Sequence, residues 1–191
     1  MGAPKALLEV SDGRPFVLRI VDELMGAGVS EIAIVTGRHH DAIAAAIDGA
    51  GRRAGVRVVR NPDPDRGQLS SLWVGMDAVL TDGSEGLMMT LVDVPLVAAD
   101  VVRRVLSVWS VTRAPIVRPA IGSRHGHPVI FDRAVLNELR SAPLEVGAKS
   151  VVRAHAHELI DVIVDDEGCL IDVDTPADYE ALRRQPPDRR V

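Results

Sequence analysis

Short runs of β-branched and other apolar residues recur along the chain, and most are followed by a stretch whose apolar residues fall three to four apart. This alternation constrains the fold more than any other feature. Segments 31–36, 56–60, 86–92, 114–118, 128–131 and 159–164 read as strands, while 15–26, 40–47, 70–80, 99–108 and 132–139 carry the helical period. Strands that are apolar on both sides need cover on both faces. Helices between them supply it, so the pattern predicts an α/β protein with a largely parallel sheet between helical layers. Residues 5–10 read as a short strand or turn, and no buried first strand precedes them, although sheets of this kind usually begin with one. Asp165-Asp166-Glu167-Gly168 reads as a hairpin turn.

At 191 residues, with 47% hydrophobic against 26% charged, the chain suits one globular domain. We place that domain at 1–182 and expect 183–191, rich in Pro and Arg, to fray. A formal charge of -5 with dispersed basic residues argues against a nucleic-acid partner. The lone Cys169 cannot form an internal disulfide, which suits a reducing compartment. No apolar run approaches the ~20 residues that span a bilayer, and neither a signal-peptide core nor a lipidation pattern follows Met1-Gly2. The expectation is a cytoplasmic protein without a membrane partner.

Two apolar runs end in carboxylates. Thr90-Leu91-Val92-Asp93-Val94-Pro95 closes one, and Ile171-Asp172-Val173-Asp174-Thr175-Pro176-Ala177-Asp178 carries the other. An acid just past a strand lies at the sheet edge where open α/β folds bind ligands, and two such segments suit a hard divalent cation. In an extended stretch Asp172 and Asp174 face the same side, so either can be a ligand, while Asp174 or Thr175 caps a helix begun by Pro176. The polar loop from Asn61 to Gly67 ends at a helix start, where Ser70 and Ser71 can present hydroxyls and Gly67 permits close backbone approach. Ser123-Arg124-His125-Gly126-His127-Pro128 places histidines and basic groups ahead of a strand, as a phosphate or carboxylate pocket would.

Taken in order, these pieces resemble the MobA-like NTP transferase family, and more closely its molybdenum-cofactor cytidylyltransferase branch. Pro4-Lys5-Ala6-Leu7-Leu8 resembles the family's P-K-x-L-L, and Asn61-Pro62 with Gly67, Ser70, Ser71 and Leu72 resembles its N-P-x-x-x-x-G-x-x-x-S-L. Asp93-Val94-Pro95 resembles D-x-P, Gly126-His127-Pro128 resembles G-H-P, and residues 172–179 resemble D-I-D-T-P-x-D-Y. The resemblance implies a Rossmann-like three-layer α/β/α sandwich of the nucleotide-diphospho-sugar transferase type, with a mostly parallel sheet. It implies transfer of a nucleoside monophosphate, CMP favoured over GMP, from an NTP to a molybdopterin-type molybdenum cofactor, releasing pyrophosphate.

On this resemblance Asp93 and Asp174 hold Mg²⁺, and Lys5 and Asp93 are the catalytic residues. Gly2, Lys5, Asn61, Gly67, Ser70 and Ser71 bind the nucleotide, and Gly126 and His127 bind the pterin acceptor. A molybdoenzyme is the implied protein partner. Two departures stand out. The family opens with a buried strand and a loop of the form L-A-A-G-x-S-x-R-M-G, of which only Met1-Gly2 corresponds here, and Lys149 stands where the family's G-D-x-G-A-R has Arg. They leave two alternatives: a non-catalytic relative that binds a pterin cofactor or partner enzyme, and a sugar-phosphate nucleotidyltransferase.

Overall fold

The computed structural model describes residues 4–184. Seven helices and seven strands of the described residues alternate much as the sequence pattern requires. In chain order they are α1 (Phe16–Gly26), β1 (Ile32–Thr36), α2 (His40–Gly49), β2 (Val56–Arg60), α3 (Gln68–Val79), β3 (Gly86–Met89), α4 (Ala99–Thr112) and β4 (Ile116–Ile121). β5 (Arg124–His125), β6 (Val129–Asp132), α5 (Leu136–Ser141), α6 (Lys149–Ala154), β7 (Ile160–Ile163) and α7 (Pro176–Arg184) follow.

Apolar residues on successive positions of a strand must find cover on opposite faces, and β4 and β6 show how this is met. Ile116 and Phe131 pack with Leu69, Met76, Leu139 and Val151 from α3, α5 and α6. Their neighbours Val117 and Ile130 pack the other way, with Val101 and Val105 of α4. On that same side α1 presents Val17, Ile20, Val21 and Leu24 to Ile32 of β1 and to Val102. The result is the three-layer α/β/α sandwich expected from the sequence.

The strand pairing is more mixed than the expectation of a mostly parallel sheet. β1 and β2 run parallel, as do β4 and β7, whereas β3–β6, β4–β6 and β4–β5 are antiparallel. β6 is the inserted antiparallel strand, joined to β4 through the small hairpin with β5. Pairing joins β1–β2 into one ladder and β3–β6–β4 with β5 and β7 into another, and no described strand links the two. Between them lies a cavity of about 1130 Å³ whose walls include β1, β3, α1 and α3. Among the described residues no strand fills this gap.

Several local expectations are revised. Residues 5–10 form a 3-10 turn (Lys5–Leu7) followed by an isolated bridge between Glu9 and Pro15. Residues 165–168 are not a hairpin: Asp166 accepts from the Gly168 N–H at 2.8 Å, starting the 3-10 turn Glu167–Leu170. Gly168 packs onto the Leu96 carbonyl, so the turn folds against the core. Arg183 and Arg184, expected in a frayed tail, are helical in α7; the rest of that tail and the candidate Gly2 lie outside the described residues.

Candidate functional site

The two acidic segments meet. The Val173 N–H donates to the Asp93 carbonyl at 2.8 Å, which fixes the segment after the 3-10 turn against the loop leaving β3. Lys5 reaches between them, its Nζ 2.8 Å from Asp174 Oδ1 and 3.9 Å from Asp93 Oδ2. Asp93 Oδ1 is buried and accepts no hydrogen bond, an unsatisfied carboxylate oxygen of the kind that marks a site for a missing partner.

α7 holds Asp174 in place through its cap. Asp178 Oδ2 accepts from the Thr175 N–H and Oγ1 at 2.8 Å each and from the Asp174 N–H at 3.2 Å. Thr175 Oγ1 in turn accepts from the Asp178 N–H, completing a reciprocal capping arrangement with Asp in the reaching position. The hydrogen bonds from Thr175 hold the Asp178 carboxyl below the usual carboxylate range. Asp172 is displaced the other way, pushed up by burial and then by the negative charges of Asp93 and Asp174. Three carboxylates therefore share one neighbourhood with a single ammonium.

His127 lies at the edge of this cluster. Its Nδ1 is 3.5 Å from the Met89 carbonyl of β3, and burial pushes the imidazole down despite that carbonyl and the nearby Asp172 and Asp93. Gly126 explains how the ring comes to be there. Its N–H donates to the Pro119 carbonyl and the His127 N–H to the Cys169 carbonyl, each at 2.9 Å. A Cβ on Gly126 would fall 2.9 Å from the Cys169 carbonyl carbon and closer still to its oxygen. Only glycine permits that backbone approach.

The second half of the site is the loop into α3. Asn61 is 4% exposed, and its Nδ2 donates to Ser70 Oγ at 2.9 Å and Ser71 Oγ at 3.0 Å. Its Oδ1 accepts from the Asp63 N–H, and its own N–H donates to the Thr36 carbonyl of β1. Ser70 Oγ is spent internally, donating to the Gly67 carbonyl at 2.7 Å. Gly67 adopts φ 92° at the N-cap of α3, a conformation that excludes most other residues. Ser71 is half-buried and lines the same cavity as Lys5, so the two halves face one space.

The structure thus gathers Lys5, Asp93, Asp172, Asp174 and His127 in one cluster and Asn61, Gly67, Ser70 and Ser71 in another. Arg124 and His125 belong to neither: they pair with Glu167 and Asp161 on the exposed hairpin. Arg19 and Glu23 enter unannounced. Buried on α1, Arg19 donates to the Pro95 carbonyl and Glu23 accepts from the Ala99 N–H, anchoring the two ends of the segment 95–99 that follows Asp93. Charged residues four apart on the apolar face of a helix were the available signal. Thr90 was also missed as a site feature; its Oγ1 is buried without a partner.

Among the described residues no group of three or more His, Cys, Asp and Glu side chains is arranged to hold a metal. Asp93 and Asp174 nonetheless fit a hard cation in donor chemistry, since both already address a positive charge and Asp93 has an unused oxygen. A site of two carboxylates is completed by substrate phosphates and water, as Mg²⁺ sites commonly are.

A sandwich with carboxylates and an ammonium at the strand ends, beside a helix-start loop, defines a nucleotide-handling α/β protein. The chain belongs to the MobA-like NTP transferase domain family, whose profile matches residues 1–159, and is a nucleotidyltransferase of that family. Among solved structures it is similar to Rv0371c from Mycobacterium tuberculosis, at 27% identity and TM-score 0.79 over 97% of this chain and 91% of that one. A manganese complex of Rv0371c aligns at 29% identity and TM-score 0.77, over 96% and 94% of the two chains. A CMP:2-keto-3-deoxy-manno-octonic acid synthetase complexed with CTP shares the fold at 17% identity and TM-score 0.67, over 94% of this chain and 90% of that one. No curated protein matches the chain. Among the described residues no helix is long and apolar enough to cross a membrane.

Proposed function

We propose that this nucleotidyltransferase moves CMP from CTP to a molybdopterin-type molybdenum cofactor and releases pyrophosphate, using Mg²⁺. The observation that carries the reading is the convergence of Lys5 on Asp93 and Asp174, with one Asp93 oxygen buried and unpartnered. That charge pattern suits a reaction in which little covalent work falls to the protein. Positioning and stabilisation of charge on phosphate oxygens dominate phosphoryl and nucleotidyl transfer. When bound, Mg²⁺ would be held by Asp93 and Asp174 and would supply Lewis-acid stabilisation of the charge that develops on the phosphates.

The remaining roles belong to the chain. Lys5 is held by two carboxylates and presents its ammonium to the triphosphate. Asn61 orients the Gly67–Ser71 turn against the nucleoside, with Ser71 free to donate and Ser70 bracing the loop. His127, kept neutral by burial, offers a hydrogen bond to the acceptor beside Gly126. Preference for CTP over GTP rests on the Pro4–Leu8 and Ser70–Leu72 resemblance. The manganese complex of Rv0371c supports a divalent cation in a protein of this fold. A molybdoenzyme receiving the product and a cytoplasmic location complete the proposal, with residues 1–182 as the working domain.

The test is direct. The purified protein is incubated with the pterin cofactor, Mg²⁺ and CTP labelled at the α-phosphate. Label transferred to the pterin, with pyrophosphate released in equal amount and little transfer from GTP, is the expected result. Transfer to a sugar phosphate offered in a parallel incubation, with none to the pterin, would overturn the acceptor, and equal use of GTP would overturn the base preference.

A further inference from the structure

The two acids that face Lys5 are held in different ways. Asp174 is fixed by the cap of α7, its N–H bonded to Asp178. The Asp93 carboxylate has little of its own to hold it: Oδ1 accepts no hydrogen bond among the described residues, and Oδ2 stands 3.9 Å from Lys5, beyond hydrogen-bond reach. Where the Asp93 side chain stands is therefore decided by its backbone.

That backbone is gripped by α1. Val94 and Val97 are buried in one cluster with Val17, Ile20, Val21 and Leu24 of that helix. Apolar contact is not directional, so it holds the segment in place without fixing its register. Two charged side chains of the same helix supply the register. Arg19 Nε donates to the Pro95 carbonyl at 3.0 Å, two residues past Asp93, and Glu23 Oε2 accepts from the Ala99 N–H at 2.8 Å. Ala99 is the first residue of α4, whose N-cap residue, Ala98, makes no side-chain cap. Glu23 does the capping instead, and its charge suits the positive end of a helix. Arg103 ties α4 back to α1 through the Gly26 carbonyl at 2.8 Å. The far end of the segment is thus a fixed post. The near end hangs on Arg19 and on the Val173 N–H, which donates to the Asp93 carbonyl.

Burial makes the choice of residues informative. Arg19 is 4% exposed and Glu23 3%, on a helix face otherwise built of Phe, Val, Ile and Leu. Taking a guanidinium and a carboxylate out of water is costly, and apolar side chains of like volume commonly serve stability as well or better. What apolar side chains cannot do is bond one chosen carbonyl.

We propose that Arg19 is a positioning residue for the transfer step: by holding the Pro95 carbonyl it sets where the Asp93 carboxylate stands relative to Asp174 and Lys5. The role rests on the nucleotidyl-transfer reading given above. Arg19 itself meets neither nucleotide nor cation and acts through the peptide from Asp93 to Pro95.

The test uses Arg19→Met combined with Glu23→Gln, which removes both charges together so that neither is left buried alone, while Gln keeps an acceptor for the Ala99 N–H. Arg19→Lys keeps a donor. Each is compared with wild type by amide exchange without ligand, and by Mn²⁺ binding in the presence of CTP, read from water-proton relaxation. In the double variant the Val173 amide is expected to exchange on the order of 10-fold faster, while amides of the β4–β7 ladder keep their rates. Its Mn²⁺ affinity is expected to fall about 10-fold, as when a group that supports a metal ligand is lost, and Arg19→Lys is expected to restore both. Unchanged Val173 exchange, or Mn²⁺ affinity kept at the wild-type value, would overturn the positioning role. So would faster exchange shared equally by the β4–β7 amides, which would make Arg19 a stability residue only. Wild-type protein that binds no Mn²⁺ with CTP would instead overturn the transfer reading on which the role rests, with a local change at Val173 still visible.

Discussion

Replacing Gly126 with Ala tests how the backbone positions His127. The added Cβ meets the Cys169 carbonyl, a backbone group that cannot swing aside as a side chain could. Overpacking of this kind costs about 1–3 kcal/mol. Relief by displacement stretches the hydrogen bonds from Gly126 to Pro119 and from His127 to Cys169, and loss of one costs about another 1 kcal/mol. The sum is about 2–4 kcal/mol, or a fall in Tm of roughly 4–16 °C for a domain of this size. Thermal unfolding of Gly126→Ala against wild type measures it. Because His127 moves with the strand, turnover is expected to fall beyond what the unfolded fraction explains. A Tm within 1–2 °C of wild type, well inside the ~2–4 °C that one kcal/mol is worth, would refute the close-approach argument.

Further outcomes follow from particular contacts. Asn61→Ala leaves the buried Ser70 hydroxyl and the Asp63 N–H short of a partner, and should destabilise by about 1–3 kcal/mol in denaturant unfolding. Ser71→Ala should cost less stability while weakening nucleotide binding, seen by calorimetry. His155 is held up by its hydrogen bond to Glu138 across α5 and α6, and then by Glu158. A raised folded value means the native state binds more protons than the unfolded one. The stabilisation is therefore full below about 6.5, the unfolded value, and is lost as pH rises through the folded value. An NMR titration of the His155 ring at or below that ordinary value would contradict it. Cys169 is fully buried and its thiol is pushed up to about 11 by burial, so a thiol reagent should react only after denaturation.

Much of this was legible in the sequence because it is local. β2 begins and ends at the bounds read from its Val-rich run, 56–60, and the Thr175–Asp178 cap was readable from Asp-Thr-Pro followed by a second acid. The motif residues Lys5, Asp93 and Asp174 fall together although 169 positions separate the first from the last. Pairing partners were not legible. The antiparallel insertion of β6 between β3 and β4 depends on contacts remote in sequence, and alternation of strands and helices alone favours a parallel reading. The short helix α6 and the two-residue β5 offer too few residues for a period to show. Ser70 looked like a ligand group because a serine at a helix start has two uses, binding outward or bracing inward. The Gly67 carbonyl and Asn61 decide for the second.

On the proposed function a nucleoside triphosphate and a divalent cation meet at Lys5, Asp93 and Asp174. Thermal unfolding with Mg²⁺ and each of CTP, GTP, ATP and UTP tests it most directly, on wild type and on Asp93→Asn. Ligand at about 100 times its Kd stabilises the native state by about 2.7 kcal/mol, a rise of roughly 5–11 °C here. That rise is expected with CTP, dependent on Mg²⁺, and lost in an Asp93→Asn protein that still melts cooperatively. A cooperative wild-type transition that no nucleotide moves, or a rise that survives Asp93→Asn, would contradict it.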